Sequence, residues 1–225
     1  MKTSGQKSLP AIGFLTVTRD PEHGLFGGYL VLNSLGRPLE FHCTAPVRAN
    51  RAQEILYGPT LDPYLFGERI GQTLLNKSKA RPKLALTDVA PAMAARAFVS
   101  IPLTLVLDGA AHDGSGLREG ELAVSDGLNG QREVVVGGGP VGESRSSPND
   151  RTYRRDPSHS TRGSTWQRFR QFDMGGHRVA VVDGHPRDAD SVAEIWPLFE
   201  EQIDLEEPFE RIREAIGEAR NSARA

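Results

Sequence analysis

The first part of the chain alternates between apolar and polar residues in a pattern that predicts three β-strands. The first covers residues 12–19 and ends before Pro21, and the second covers residues 29–32 before a polar turn. In the third, residues 39–44, the odd-numbered residues are apolar and the even-numbered ones are polar, so its two faces differ. We therefore expect a sheet with one buried face.

An apolar repeat of helical period follows and predicts two helices that cover this sheet. Asn50 and Gln53 match the capping-box pattern of a short helix, which Gly58 would end. Asp62 before a proline is predicted to cap the second helix. The apolar stripe of that helix consists of Leu65, Phe66, Ile70, Leu74 and Leu75.

Two further apolar runs, residues 83–87 and 98–107, predict strands that complete the N-terminal block, residues 10–107. Because Pro102 lies in the second run and lacks a backbone N–H, we expect that strand to lie at a sheet edge or to contain a bulge. The block then has the order βββααβ(α)β.

The C-terminal block, residues 164–220, begins with a predicted β-hairpin whose strands cover residues 166–173 and 177–182. Ser191 and Glu194 form a second capping-box pattern, and Pro208 precedes an acidic amphipathic helix. We expect this block to pack on the first one.

Between the blocks, residues 108–163 are rich in Gly, Ser, Asp and Arg and poor in large apolar side chains. Such a composition cannot offset the entropy of ordering, so a long flexible insert is predicted, with a candidate hairpin at 121–136. Residues 1–9 and 221–225 are predicted to be flexible as well. The fold class expected from these patterns is α+β, with an antiparallel or mixed sheet covered by helices and a C-terminal hairpin plus helices.

Cysteine content and the N-terminal residues indicate the compartment. Cys43 is the only cysteine among 225 residues, which excludes an intramolecular disulfide and any metal site built from several thiolates. We expect it to be a small core residue. Residues 1–10 resemble neither a secretion signal nor a membrane span. The cytoplasm is the expected location, and no cofactor and no membrane contact are predicted.

Charge is distributed unevenly although the formal net charge is only −2. The segment before the C-terminal block is basic, and the end of the chain is acidic. Basic residues interleaved with an aromatic one can bind phosphate groups and stack on bases or peptide groups. The predicted contact residues are Arg154, Arg155, Trp166 and Arg168. The leading hypothesis is a non-catalytic interaction or accessory protein with a protein or nucleic-acid partner.

A glycine pattern at residues 137–142 matches the GxGxxG fingerprint of dinucleotide-binding folds. That chemistry requires a helix directly after the glycines, because the pyrophosphate binds at the helix N-terminus. The residues that follow, 143–148, contain two adjacent serines and a proline and cannot supply it. We therefore reject a dinucleotide site.

The order of three strands, a helix and a strand that ends in an acidic residue supports an alternative function. Ribonuclease-H-like folds have this order, and their members activate water with two metal ions held between carboxylates. Asp20, Glu54 and Asp88 would be the catalytic carboxylates of such a metal-dependent nuclease or phosphodiesterase. Topology alone does not imply this function, and each residue also fits a turn or a strand end.

A weaker candidate for metal binding follows the strand predicted at 177–182. Asp183, His185 and Asp188 provide oxygen and imidazole donors there. Turn and helix-cap roles explain the same residues, so no metal site is assigned. The oligomeric state is left open by the sequence.

Overall fold

The computed structural model describes residues 10–107 and 168–222, together with the backbone of two strands at 122–126 and 132–136. Within these residues the strands, in chain order, are β1 (Ala11–Asp20), β2 (Gly24–Asn33), β3 (Pro38–Cys43), β4 (Leu84–Thr87), β5 (Leu103–Val106), β6 (Leu122–Asp126), β7 (Arg132–Val136), β8 (Arg168–Met174) and β9 (His177–Val182). They form one sheet in the order β3-β2-β1-β4-β5-β9-β8-β7-β6. β1, β4 and β5 are parallel, and the other neighbours are antiparallel. The predicted α+β class with a mixed sheet is confirmed.

Helical segments lie on both faces of the sheet. In chain order they are α1 (Arg51–Tyr57), a 3-10 helix (Gly58–Thr60), a π-helix (Pro63–Gly71), α2 (Gln72–Lys77), a 3-10 helix (Ala90–Ala97), α3 (Arg187–Ile195), a 3-10 helix (Trp196–Leu198) and α4 (Glu207–Ser222). The π-helix, α2 and the 3-10 helix Ala90–Ala97 cover one face. α3 and α4 cover the other.

The core is therefore double, and the expectation of one buried face is wrong. Leu15 and Val17 of β1 face the π-helix side, whereas Ile12 and Phe14 face α4. Phe14 meets Phe209 of α4 edge to face, with ring centroids 5.4 Å apart. Because the C-terminal helices return to the second face, the central strands are buried on both sides.

Several predicted boundaries also need correction. β5 is a central strand between β4 and β9, and Pro102 precedes it without interrupting its pairing. Asp62 makes no side-chain cap, because the backbone is already helical at that residue. Ser191 lies inside α3, where its hydroxyl donates to the Arg187 carbonyl oxygen at 3.0 Å. The capping patterns at Asp62 and Ser191 therefore lie near helices, but they do not mark the residues at which those helices begin.

The two predicted blocks share one sheet, because β5 of the first pairs with β9 of the second. The C-terminal hairpin β8–β9 is confirmed, and Gly175 and Gly176 supply the positive φ angles of 59° and 87° that its two-residue turn requires. The candidate hairpin in the insert is present as the backbone of β6 and β7. The rest of the insert, residues 1–9 and residues 223–225 lie outside the described residues, whereas Asn221 and Ser222, predicted to be flexible, are the last two residues of α4.

Candidate interaction surface

The short helix α1 is stabilised by contacts at its own N-terminus. The Asn50 side chain accepts a hydrogen bond from the Gln53 N–H at 2.8 Å, and the Gln53 side chain accepts one from the Asn50 N–H at 3.0 Å. This is the capping box that the sequence predicts. The Arg51 guanidinium also donates to the Glu54 carboxylate at 2.9 Å, one turn along the helix.

The apolar residues of α1 are exposed, which contradicts the predicted role of this helix in covering the sheet. No residue of α1 is buried, and Ile55 and Leu56 are 66% and 81% exposed. Ala52 is exposed too, so the helix presents an apolar stripe at positions i, i+3 and i+4. Short helices in proteins usually depend on burying such a stripe. Among the described residues nothing covers it.

Aromatic stacking fixes α1 to the rest of the molecule. The ring of Tyr57, the last residue of α1, stacks on Tyr64 of the π-helix, with centroids 4.1 Å apart and an interplanar angle of 23°. A hydrogen bond to the Tyr64 side chain raises the pKa of Tyr57 above its ordinary value. The stripe is thus held in a defined position although it makes no core contacts.

A second surface feature is a cleft of about 300 Å³ between the β2–β3 side of the sheet and the end of α4. Phe26, Pro46 and Ile216 form apolar walls, and the His23 imidazole and the exposed Cys43 thiol lie at the same cleft. The prediction that Cys43 is a core residue is wrong, because β3 extends past the area that α4 covers.

Asp20 organises one end of this cleft. Its Oδ1 accepts hydrogen bonds from the N–H groups of Glu22 and His23 and contacts His23 Nδ1 at 2.8 Å, and its Oδ2 pairs with Arg220. The His23 side chain is the largest cause that lowers the pKa of Asp20, and the two N–H groups and Arg220 add to it. They outweigh desolvation and bring the pKa to about 2.

The carboxylates of the nuclease alternative are engaged separately. Asp20 pairs with Arg220, Asp88 with Arg213, and Glu54 with Arg51. The first two arginines are seven residues apart on α4, about 10 Å along the helix axis. A two-metal site needs ions about 4 Å apart. In the described part of the chain, no three His, Cys, Asp or Glu side chains form a group that could hold a metal ion. The alternative remains a sequence-based hypothesis.

The weaker metal candidates have structural partners as well. Asp188 is buried in α3 and makes a bidentate ion pair with Arg96, at 2.6 and 2.9 Å. Asp183 lies 3.8 Å from Arg170, and the His185 N–H donates to the Val182 carbonyl oxygen in a turn. The His185 contact fits the turn that the sequence favours, whereas Asp188 is used in a tertiary ion pair and α3 begins without a side-chain cap.

Of the predicted partner-binding residues, Arg154, Arg155 and Trp166 lie outside the described residues. Arg168 is the first residue of β8, is exposed, and pairs with Val135 of β7. Its carbonyl oxygen accepts the Asp183 N–H at 3.0 Å, so its backbone has a fixed position at the sheet.

The sequence pattern located α1 correctly, but the apolar residues of α1 were predicted to lie in the core and are exposed instead.

Among the described helices, none is both long and apolar enough to cross a membrane. No protein-family model, no curated protein and no solved structure matches the chain. The function must therefore be inferred from the surface itself.

Proposed function

We propose that this chain is a non-catalytic interaction protein that docks a partner protein through α1. The stripe of Ala52, Ile55 and Leu56 carries the proposal, because it is preformed and exposed on a helix without a buried residue. Helices insert into apolar grooves of other proteins with the same i, i+3, i+4 spacing. The inferred partner is a folded protein with an apolar groove.

Charge favours a protein over other macromolecules. The only cation of α1 is Arg51, and Glu54 neutralises it within the same helix. Binding to nucleic acid depends on Lys and Arg side chains that reach phosphates. Helices that lie on membrane surfaces carry a strongly basic polar face. α1 has neither property, which leaves the apolar stripe as its binding feature.

The sequence-predicted contact residues remain part of this proposal as an additional contact. They are Arg154, Arg155, Trp166 and Arg168, of which the structure describes Arg168 alone. Binding of nucleic acid through these residues would be a different function. The crosslinking experiment on α1, described next, distinguishes it from docking of a partner protein.

The test is site-specific photo-crosslinking with p-benzoylphenylalanine at position 56 of the full chain in its native cells. Position 198 is the matched control, because Leu198 is another exposed apolar residue, 51% exposed, in a different helix. We expect a crosslinked protein at position 56 and not at position 198. Its purified form must then bind the wild-type chain directly, as measured by calorimetry.

Truncation of Leu56 provides the quantitative arm of the test. Loss of a buried leucine side chain removes about 1.5–3 kcal/mol, so L56A should weaken the complex roughly tenfold to a hundredfold. L198A should bind normally, and both variants should unfold like the wild type because neither residue is buried. Crosslinks at position 56 to nucleic acid or to the chain itself, equal crosslinks at both positions, or unchanged affinity of L56A would overturn the proposal.

A further inference from the structure

β3 is the outermost strand on its side of the sheet and pairs only with β2 among the described residues. The Thr44 N–H donates to the Gly27 carbonyl oxygen at 3.0 Å, which fixes the alternation of inward and outward backbone groups. Phe41 and Cys43 therefore direct their N–H and C=O groups away from β2. In the described part of the chain, these outward groups have no backbone partner.

The side chains along this edge are apolar on one face. Phe41 is 39% exposed and Cys43 is exposed, both on the α4 side, since they pair with Leu30 and Gly28 of β2. Glu40 and His42 point to the opposite face, where Glu40 Oε2 lies 3.1 Å from His42 Nε2 of the same strand and the Glu40 carboxylate also accepts hydrogen bonds from Ser78 and the Lys79 N–H. Exposed edge strands are usually protected by charges, prolines or bulges.

In β3 such protection is confined to its first half. Pro38 starts the strand, and Leu39 is left without a partner on β2 where the register shifts. From Glu40 to Cys43 the pairing with β2 is regular, and the two residues that point to the α4 side, Phe41 and Cys43, are themselves uncharged. This half of the edge can accept another strand.

We propose that two copies of this chain pair through β3, antiparallel about a two-fold axis at Phe41. This register places Phe41 opposite Phe41 of the second copy, and Glu40 opposite His42 of the second copy. Aromatic pairs are favourable across neighbouring strands, and an imidazole N–H can donate a hydrogen bond to a carboxylate placed opposite to it. The edge is thus complementary to itself, and the partner is a second copy.

Other registers fit less well. An axis at Glu40 would place two carboxylates directly opposite each other, and like charges there are unfavourable. An axis at His42 would place Phe41 opposite Cys43 and Glu40 opposite Thr44, so the aromatic pair and the carboxylate–imidazole pair would both be lost. An axis at Cys43 would leave Phe41 opposite Ala45 and shorten the paired region. The proposal rests on β3 alone and is independent of the function proposed for α1.

Disulfide crosslinking of the full chain tests both the dimer and its register. In the variant F41C/C43S the two new thiols would lie on directly opposed residues with Cα atoms about 5.5 Å apart, within disulfide range. Mild oxidation should give a covalent dimer on a non-reducing gel. In the wild type, the two Cys43 residues would be four residues apart along the strands, about 14 Å, and should not crosslink.

L198C/C43S is the control for random collision, because Leu198 is exposed and belongs to the 3-10 helix Trp196–Leu198, not to β3. Analytical ultracentrifugation of the wild type and of F41K is a second test, in which the native Cys43 is retained. In F41K two lysine charges would face each other at the two-fold axis. The dissociation constant of the dimer should therefore rise at least tenfold. Crosslinking through wild-type Cys43, equal crosslinking of F41C/C43S and L198C/C43S, or a monomeric wild type at every concentration would overturn the proposal.

Discussion

Asp20 links three parts of the molecule through one carboxylate. It ends β1, receives hydrogen bonds from the turn at Glu22 and His23, and pairs with Arg220 at the far end of α4, 200 residues away. Arg220 also lies over the Phe26 ring at 5.3 Å. Ionised Asp20 thus holds the last turns of α4 against the sheet.

The lowered pKa of Asp20 makes the free energy of unfolding depend on pH in the acid range. Because its folded pKa is about 2 against an ordinary value of 3.8, its contribution is fully present above about pH 4 and is lost as pH falls toward 2. We expect D20N to be less stable than the wild type at pH 7, and the difference to shrink at pH 2. Urea unfolding at both pH values measures it.

D62N is the control for this prediction, because the Asp62–Arg19 pair is exposed and 3.4 Å long. It should change the free energy of unfolding by less than about 1 kcal/mol. A D20N variant with the same pH dependence as the wild type would show that Asp20 does not carry this effect.

Contacts of this kind could be predicted from the sequence only where the two residues are close together in the chain. The capping box of Asn50 and Gln53 is readable from their spacing, and the structure confirms it. The exposure of Ile55 and Leu56 is not, because a helical stripe looks the same whether or not another layer covers it. The ion pairs of Asp20 and Asp88 with α4 depend on tertiary structure that no local pattern encodes.

Among the elements, the π-helix shows how small residues allow close packing. A Cβ atom on Gly67 would lie 2.6 Å from the Ala94 Cβ and 2.8 Å from the Ala95 N of the 3-10 helix Ala90–Ala97. The sequence places Gly67 and Gly71 four residues apart, a spacing that permits such an approach. It could not identify the π geometry, because the stripe at Leu65, Phe66 and Ile70 fits an α-helix as well.

We expect G67A to destabilise the protein by about 1–3 kcal/mol, because backbone atoms of the facing helix cannot yield locally. G217A in α4 is the matched control, since nothing lies within 4 Å of its added Cβ. That substitution should stabilise by about 0.5–1 kcal/mol, as alanine favours helix over glycine. Equilibrium urea unfolding compares them, and equal effects of the two would contradict the packing argument.

At the scale of the whole molecule, Arg96 and Asp188 join the two predicted blocks. Arg96 lies in the last turn of the 3-10 helix on one face of the sheet, and Asp188 lies in the first turn of α3 on the other, with side chains 12% and 3% exposed. Arg96 also donates to the Val99 carbonyl oxygen at 2.7 Å. With the β5–β9 pairing, this buried ion pair makes the described blocks one structural unit, although their sequences read as two.

We therefore expect D188A to lower the free energy of unfolding by about 3–5 kcal/mol, because it leaves the Arg96 guanidinium buried without its carboxylate. The double variant R96M/D188L should recover much of that loss, since no buried charge remains. E54A, which breaks the exposed pair with Arg51, should cost less than about 1 kcal/mol. Urea unfolding followed by circular dichroism and by hydrogen exchange in β4 and β9 should give one shared transition in every variant. Loss of protection in β9 and α3 alone in D188A would instead show that the C-terminal block unfolds separately from the sheet that it completes.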